Sequence, residues 1–166
     1  MVIQEPSPQT SSIKSSLKRV DYTDTFSTTN HVDPLPVITN KIFATAPGWV
    51  KALMQLRNTL VKVVGLKTDF SPEKDQVFKV GGKVAFFKIY EIHDNEILLG
   101  EDDSHLNFRV SIFDSKEAVN NIKVTTLVAY KNGFGKFYFA IVRPFHKLIV
   151  RSMVGNGFAK GEEVTR

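Results

Sequence analysis

The nine residues from Glu101 to Arg109 hold Glu101, Asp102, Asp103, His105, Asn107 and Arg109. Carboxylates beside an imidazole and a guanidinium can move a proton or hold an anion. At successive turn positions carboxylates can also hold a hard cation, but the glycine and the distal glutamate of a calcium loop are missing here, and no metal is expected. Two readings stay open. In one, Asp103 orients His105 beside Arg109, and the polar cluster Glu101, Asp103 and His105 has a chemical task. In the other, the stretch is a solvated strand face with cross-strand ion pairs. Strand alternation puts Leu106, Phe108, Val110 and Ile112 toward the core, and His105, Asn107, Arg109 and Ser111 opposite.

A second set lies near the C-terminus. His146 follows Arg143, and Arg143, Lys147 and Arg151 recur every four residues, so on a helix they form one basic stripe. Such a stripe is either a wet face or a site for an anion or lipid headgroup. If His105 or His146 acts as an acid-base group, it must open onto a substrate, and the alternation just described favours His146. His31 and His93 sit in turn-like contexts and receive no role. "GNGFAKG", Gly155 to Gly161, superficially resembles a dinucleotide fingerprint, but it lacks the third glycine at the required spacing and follows a helix, so no cofactor is expected. Serine elbows and paired metal-binding histidines do not occur.

The elements that must position these groups follow from periodicity. Val20, Tyr22, Asp24 and Phe26 alternate with Asp21, Thr23 and Thr25 as a first strand. "DPLPVITNKIFATAP" reads as a short helix with Asp33 as its cap. Pro47 starts a second helix, in which Trp49, Leu53, Leu56, Leu60 and Val63 share one face and Gly65 stops the turn. Strands are expected in "KVAFFKIYEI", "EILLGE", "HLNFRVSIFD" and "NIKVTTLVAYK". A long closing helix runs from about Phe134 to Val154, with Asn132 near its N-cap and Phe137, Ile141, Phe145 and Leu148 facing the sheet. Pro144 is expected to bend it and open a mouth near Arg143 and His146. The fold class is therefore α+β, with a curved antiparallel sheet wrapped on that helix.

Composition narrows the function classes. The chain has 166 residues, enough for one domain with a real core. It has no cysteine, so disulfides and thiolate chemistry are excluded. Its net charge of +5 is spread among interleaved acids, which argues against nucleic acid as a partner. "FYFAIV", Phe137 to Val142, ends at Arg143, far short of the roughly 20 residues of a membrane span. The N-terminus has no apolar leader segment, so the expected location is cytoplasmic. Residues 1–16, rich in Ser, Pro, Gln and Thr, read as a flexible tail, residues 17–158 as a single domain and 159–166 as a second tail.

"PGWVKALMQLRNTLVKVVGLKT", "LLGEDDSHLNFRVSI" and "GKFYFAIVRPFHKLIVRSMV" together resemble a bacterial family known as domain of unknown function 2867. Gly100 to Asp103 with His105, and Arg143 to His146, are the most specific pieces. That family is similar to the START-like (SRPBCC, helix-grip) superfamily. The resemblance implies a helix-grip fold and a cavity between sheet and C-terminal helix. Relatives in which this domain follows a nicotinamide-binding domain imply a possible oxidoreductase partner. The resulting expectation is a module for an apolar or amphipathic small molecule, lipid or polyketide-like. Arg109, Tyr130, Phe137, Ile141, Arg143, Phe145 and His146 are its candidate ligand-binding residues. The alternative is a cyclase- or hydrolase-type enzyme using His146 or His105.

Overall fold

Alternating apolar and polar residues do become strands, and all of them join one sheet. The computed structural model describes residues 1–44, 55, 58 and 78–158. In chain order the elements are β1 (Ile3–Gln4), α1 (Ser11–Ser16), β2 (Tyr22–Thr28), α2 (Leu35–Ala44), β3 (Lys83–Val84), β4 (Phe87–Ile92), β5 (Glu96–Asp102), β6 (Leu106–Asp114), β7 (Ile122–Tyr130) and α3 (Gly133–Asn156). The sheet is antiparallel throughout, with strand order β1-β2-β7-β6-β5-β4-β3. An α+β fold with a seven-stranded antiparallel sheet and a C-terminal helix agrees with the sequence reading. The helix expected from Pro47 lies outside the described residues, except that Gln55 and Asn58 are helical.

One face of the sheet is apolar. Phe26, Ile89, Ile97, Leu99, Val110, Ile112, Ile122 and Val124 are buried on it with Leu35, Ile38, Ile42 and Phe43 of α2 and Val154 of α3. Burying a side chain of this size stabilises by about 1.5–3 kcal/mol, so this layer dominates the fold. A smaller cluster, Leu106, Val128 and Phe139 with Tyr22, Phe108, Tyr130 and Tyr138, seats the first half of α3. Asn132 caps α3 as expected, its Oδ1 accepting the Gly135 N–H at 2.9 Å. Two details of the expected strands change. "KVAFFKIYEI" is two strands, because Ala85 turns the chain at φ 53°. A bulge between Ile89 and Glu91 then shifts the register of β4 on β5.

The other face is polar, and the N-terminal segment covers it. Residues expected to form a flexible tail are packed instead. β1 pairs with β2, and α1 lies across the sheet with Ile13 buried. The segment is held mainly by polar groups that a reading of apolar content does not weigh. Thr10 and Ser111 both donate to Glu96, at 2.7 and 2.6 Å, and Ser12 donates to Glu91 at 2.9 Å. Lys123 bridges Glu5 and Glu117 at 3.2 and 2.9 Å. Thr25 and Thr125 share a buried hydrogen bond at 2.8 Å, and Thr25 also donates to Ser7.

Candidate functional site

The two polar sets singled out in the sequence land in different places. Arg109 lies on the polar face. Its guanidinium donates to Asp102 at 2.8 Å and to the Phe108 carbonyl, and stacks 3.9 Å from the Tyr90 ring centre. It lies flat because residue 100 is glycine: a Cβ there would come within 2.8 Å of Arg109 Cδ. Arg109 therefore completes a cross-strand pair with Asp102, and His105 and Asp103 form a separate pair at 3.5 Å. Glu101 falls on the helix side, opposite Phe108.

His105 is not on the side that alternation predicts. β6 starts at Leu106, so His105 belongs to the turn and escapes the period of two. It is buried, with its ring edge-on to Phe134 and Tyr138 of α3 at 5.6 and 4.9 Å. Its backbone carbonyl accepts the Lys131 N–H. These contacts make it an anchor for the start of α3.

The closing helix also presents its faces differently. Phe139, Val142, His146, Val150 and Met153 point inward and are buried or half-buried. Phe137, Ile141, Phe145 and Leu148 are exposed on the outer side. Both stripes have helical spacing, and spacing alone does not say which one meets the sheet. Of the candidate ligand-binding residues, Phe137, Ile141 and Phe145 thus lie outside the sheet–helix interface, with Tyr130 and His146 inside it and Arg143 at its edge. α3 is continuous through Pro144, whose exposed setting leaves the Ala140 carbonyl, also at an exposed residue, within reach of water.

One group of polar side chains does meet inside that interface. Asp24 is on the helix face of β2 and its side chain is only 2% exposed. Its Oδ2 accepts a hydrogen bond from Tyr22 Oη at 2.5 Å, and His146 Nε2 lies 3.4 Å from that oxygen and 3.5 Å from Oδ1. The Arg143 guanidinium sits 5.0 Å from the Tyr22 ring centre. The rings of Tyr22, Phe139 and His146 contact one another at 4.8–6.1 Å. Opposite Asp24 in register, Thr126 keeps a buried hydroxyl that has no hydrogen-bond partner among the described residues. Tyr130 packs on Phe139 and also lines an open depression of about 500 Å³ with Arg19, Asp21, Lys131 and Lys136.

Burial works to raise the Asp24 carboxyl, but hydrogen bonds from His146 and Tyr22 and the nearby charges of His146 and Lys147 outweigh it, and the net shift is downward. Burial and the bond to Asp24 push the Tyr22 phenol upward. The arrangement is an ionised buried acid that orients an imidazole, with a phenol and a guanidinium alongside. It can hold an anion at Arg143 and pass a proton through His146. Sequence reading named Arg143 and His146 but not Tyr22 or Asp24. The signal was Asp24 in the inward register of the first strand, where an acid among core positions needs a partner.

These groups also set a pH dependence. The folded Asp24 lies below its ordinary value of 3.8, so its ionised form adds stability above that value and loses it as pH falls through the folded pKa. Asp24→Asn is therefore expected to flatten the fall in urea midpoint as pH drops from about 5 to about 2 relative to the parent chain. Equal slopes for the two proteins would show that Asp24 is not held ionised.

Residues 16–153 match the family model described as "Protein of unknown function (DUF2867)". The chain belongs to this family. The match spans β2 to α3 and so includes Tyr22, Asp24, Arg143 and His146. No curated protein and no solved structure matches the chain. Among the described residues, no helix is long and apolar enough to cross a membrane.

Proposed function

We propose that this DUF2867 domain binds a small amphipathic acid where α3 crosses β2. Arg143 takes the acidic end through charge-assisted hydrogen bonds, and Tyr22 and Tyr130 provide aromatic surface for the apolar part. The observation that carries this reading is the Asp24–His146 contact beneath an exposed Arg143. An acid inside an apolar layer costs stability unless it is paired, and here its partners face the edge of the interface. The Thr126 hydroxyl, without a partner among the described residues, adds a polar group to the same spot. The helix-grip likeness favours the same place, between sheet and C-terminal helix.

A second reading rests on the same dyad. With Nε2 turned to Asp24, His146 Nδ1 is the position able to exchange a proton with a bound molecule, as an acid-base catalyst of the cyclase or hydrolase sort requires. Docking on a separate oxidoreductase, as the relatives' domain order suggests, is compatible with either.

Native mass spectrometry of the purified chain tests the binding reading, with decanoate as a defined probe if nothing co-purifies. Arg143→Gln is expected to weaken decanoate binding by about tenfold or more, the scale of one charge-assisted contact. His146→Gln should change the pH dependence of binding more than its strength at neutral pH. Unaltered affinity in Arg143→Gln would place the ligand elsewhere.

A further inference from the structure

The outer side of α3 has no role in the fold or in the small-acid site, yet its composition is unusual. Phe137, Ile141, Phe145 and Leu148 are 65%, 50%, 46% and 62% exposed. Their spacing of four, four and three residues makes them one stripe along about three turns. Single exposed apolar residues are ordinary, but a contiguous run of large ones marks an interaction surface. Along one edge of the stripe run Lys136, Lys147 and Arg151. The 24 residues of α3 contain no Asp or Glu.

We infer that this outer face docks on an anionic lipid surface, with α3 lying in the plane of the headgroups. An apolar stripe bordered by a row of cations is what such an interface recognises: the rings and aliphatic chains enter the acyl boundary and the cations meet phosphate and carboxylate headgroups. Charge argues against the other occupants. A second copy would bring another acid-free helix and no complementary charge. The stretch 45–77 of this chain carries Lys51, Arg57, Lys62, Lys67 and Lys74 against Asp69, Glu73 and Asp75, so it too brings a net positive charge. His146 and Asp24 lie on the opposite side of the helix, and the inference stands apart from the small-acid reading.

The experiment is sedimentation of the full chain with vesicles of phosphatidylcholine alone and of phosphatidylcholine mixed with phosphatidylserine. The bound fraction is expected to rise with phosphatidylserine and to fall as salt is added. Phe137→Ser combined with Leu148→Ser should lower the partition coefficient by about tenfold or more, and Arg151→Glu should lower it severalfold on the anionic vesicles only. Both variants should keep the melting temperature of the parent, since the altered groups are exposed. Absence of binding at low salt, or equal binding to both vesicles, overturns the inference. So does a parent dimer that the double serine variant makes monomeric, which assigns the face to a second copy. A lower melting temperature in the double variant overturns it as well, by showing that the chain itself covers the stripe.

Discussion

Gly135→Ala is expected to lower the unfolding free energy by about 3 kcal/mol and the melting temperature by about 10 °C. Gly135 is buried in the first turn of α3, and a Cβ there would run into the backbone carbonyl of His105. That carbonyl is fixed by the Lys131 N–H, and the His105 ring is wedged against Phe134 and Tyr138, so neither side can yield cheaply. The helix must lift, and Phe139 and the cap bond from Asn132 lift with it. Gly133, two residues earlier in the same helix, is the matched control, because nothing lies within 4 Å of a Cβ built on it. Gly133→Ala should be neutral or stabilising by about 0.5–1 kcal/mol through reduced freedom of the unfolded chain. Thermal melts of the two variants decide the matter. Equal behaviour would mean that the approach of α3 to the His105 turn is not tight.

Removing residues 1–16 is expected to cost about 3–5 kcal/mol. The deletion strips Ile13 from its buried position, frees Glu96, Glu91 and Lys123 from their partners on the segment, and exposes the β2 edge. Ile13→Ala alone should account for about 2–4 kcal/mol of this. Urea unfolding reads both quantities, and the deletion should also lower the m-value, since less surface remains to be exposed. The family match begins at residue 16, so β1 and nearly all of α1 lie outside it. A deletion variant as stable as the parent would show that this cover contributes nothing.

The strands and the closing helix were legible because each rests on a local period. Tyr22–Asp24–Phe26 alternates, Asn132 can reach the N–H three residues on, and β5, β6 and β7 follow one another through short turns. Features that depend on which surface meets which were not legible. α3 carries two apolar stripes, Phe139–Val142–His146–Val150 and Phe137–Ile141–Phe145–Leu148, and a helical period does not distinguish them. The covering segment was missed because Thr10, Ser12 and Glu5 act through hydrogen bonds and ion pairs, which apolar content does not measure. His105 was misplaced because alternation was extended one residue past the end of a strand. Asp24 and His146 are 122 positions apart, so their meeting follows only from β2 pairing with β7 and α3 crossing both.

The sheet order has a consequence for the order of synthesis. β4, β5, β6 and β7 pair with their neighbours in sequence as soon as each emerges. β2 must wait, because Thr25 finds Thr125 only one hundred positions later. At about 5–20 residues per second, the edge of this first long strand that will face β7 stands unpaired for about 5–20 seconds, which is when an exposed edge recruits other chains. Its sequence, "YTDTFST", suits that delay. Only Tyr22 and Phe26 are large and apolar, and an acid and four hydroxyl residues accompany them, a composition poor at stacking into intermolecular sheets. The hydroxyls that later close the polar face, and the carboxylate that later meets His146, thus also keep the nascent strand soluble until its partner exists.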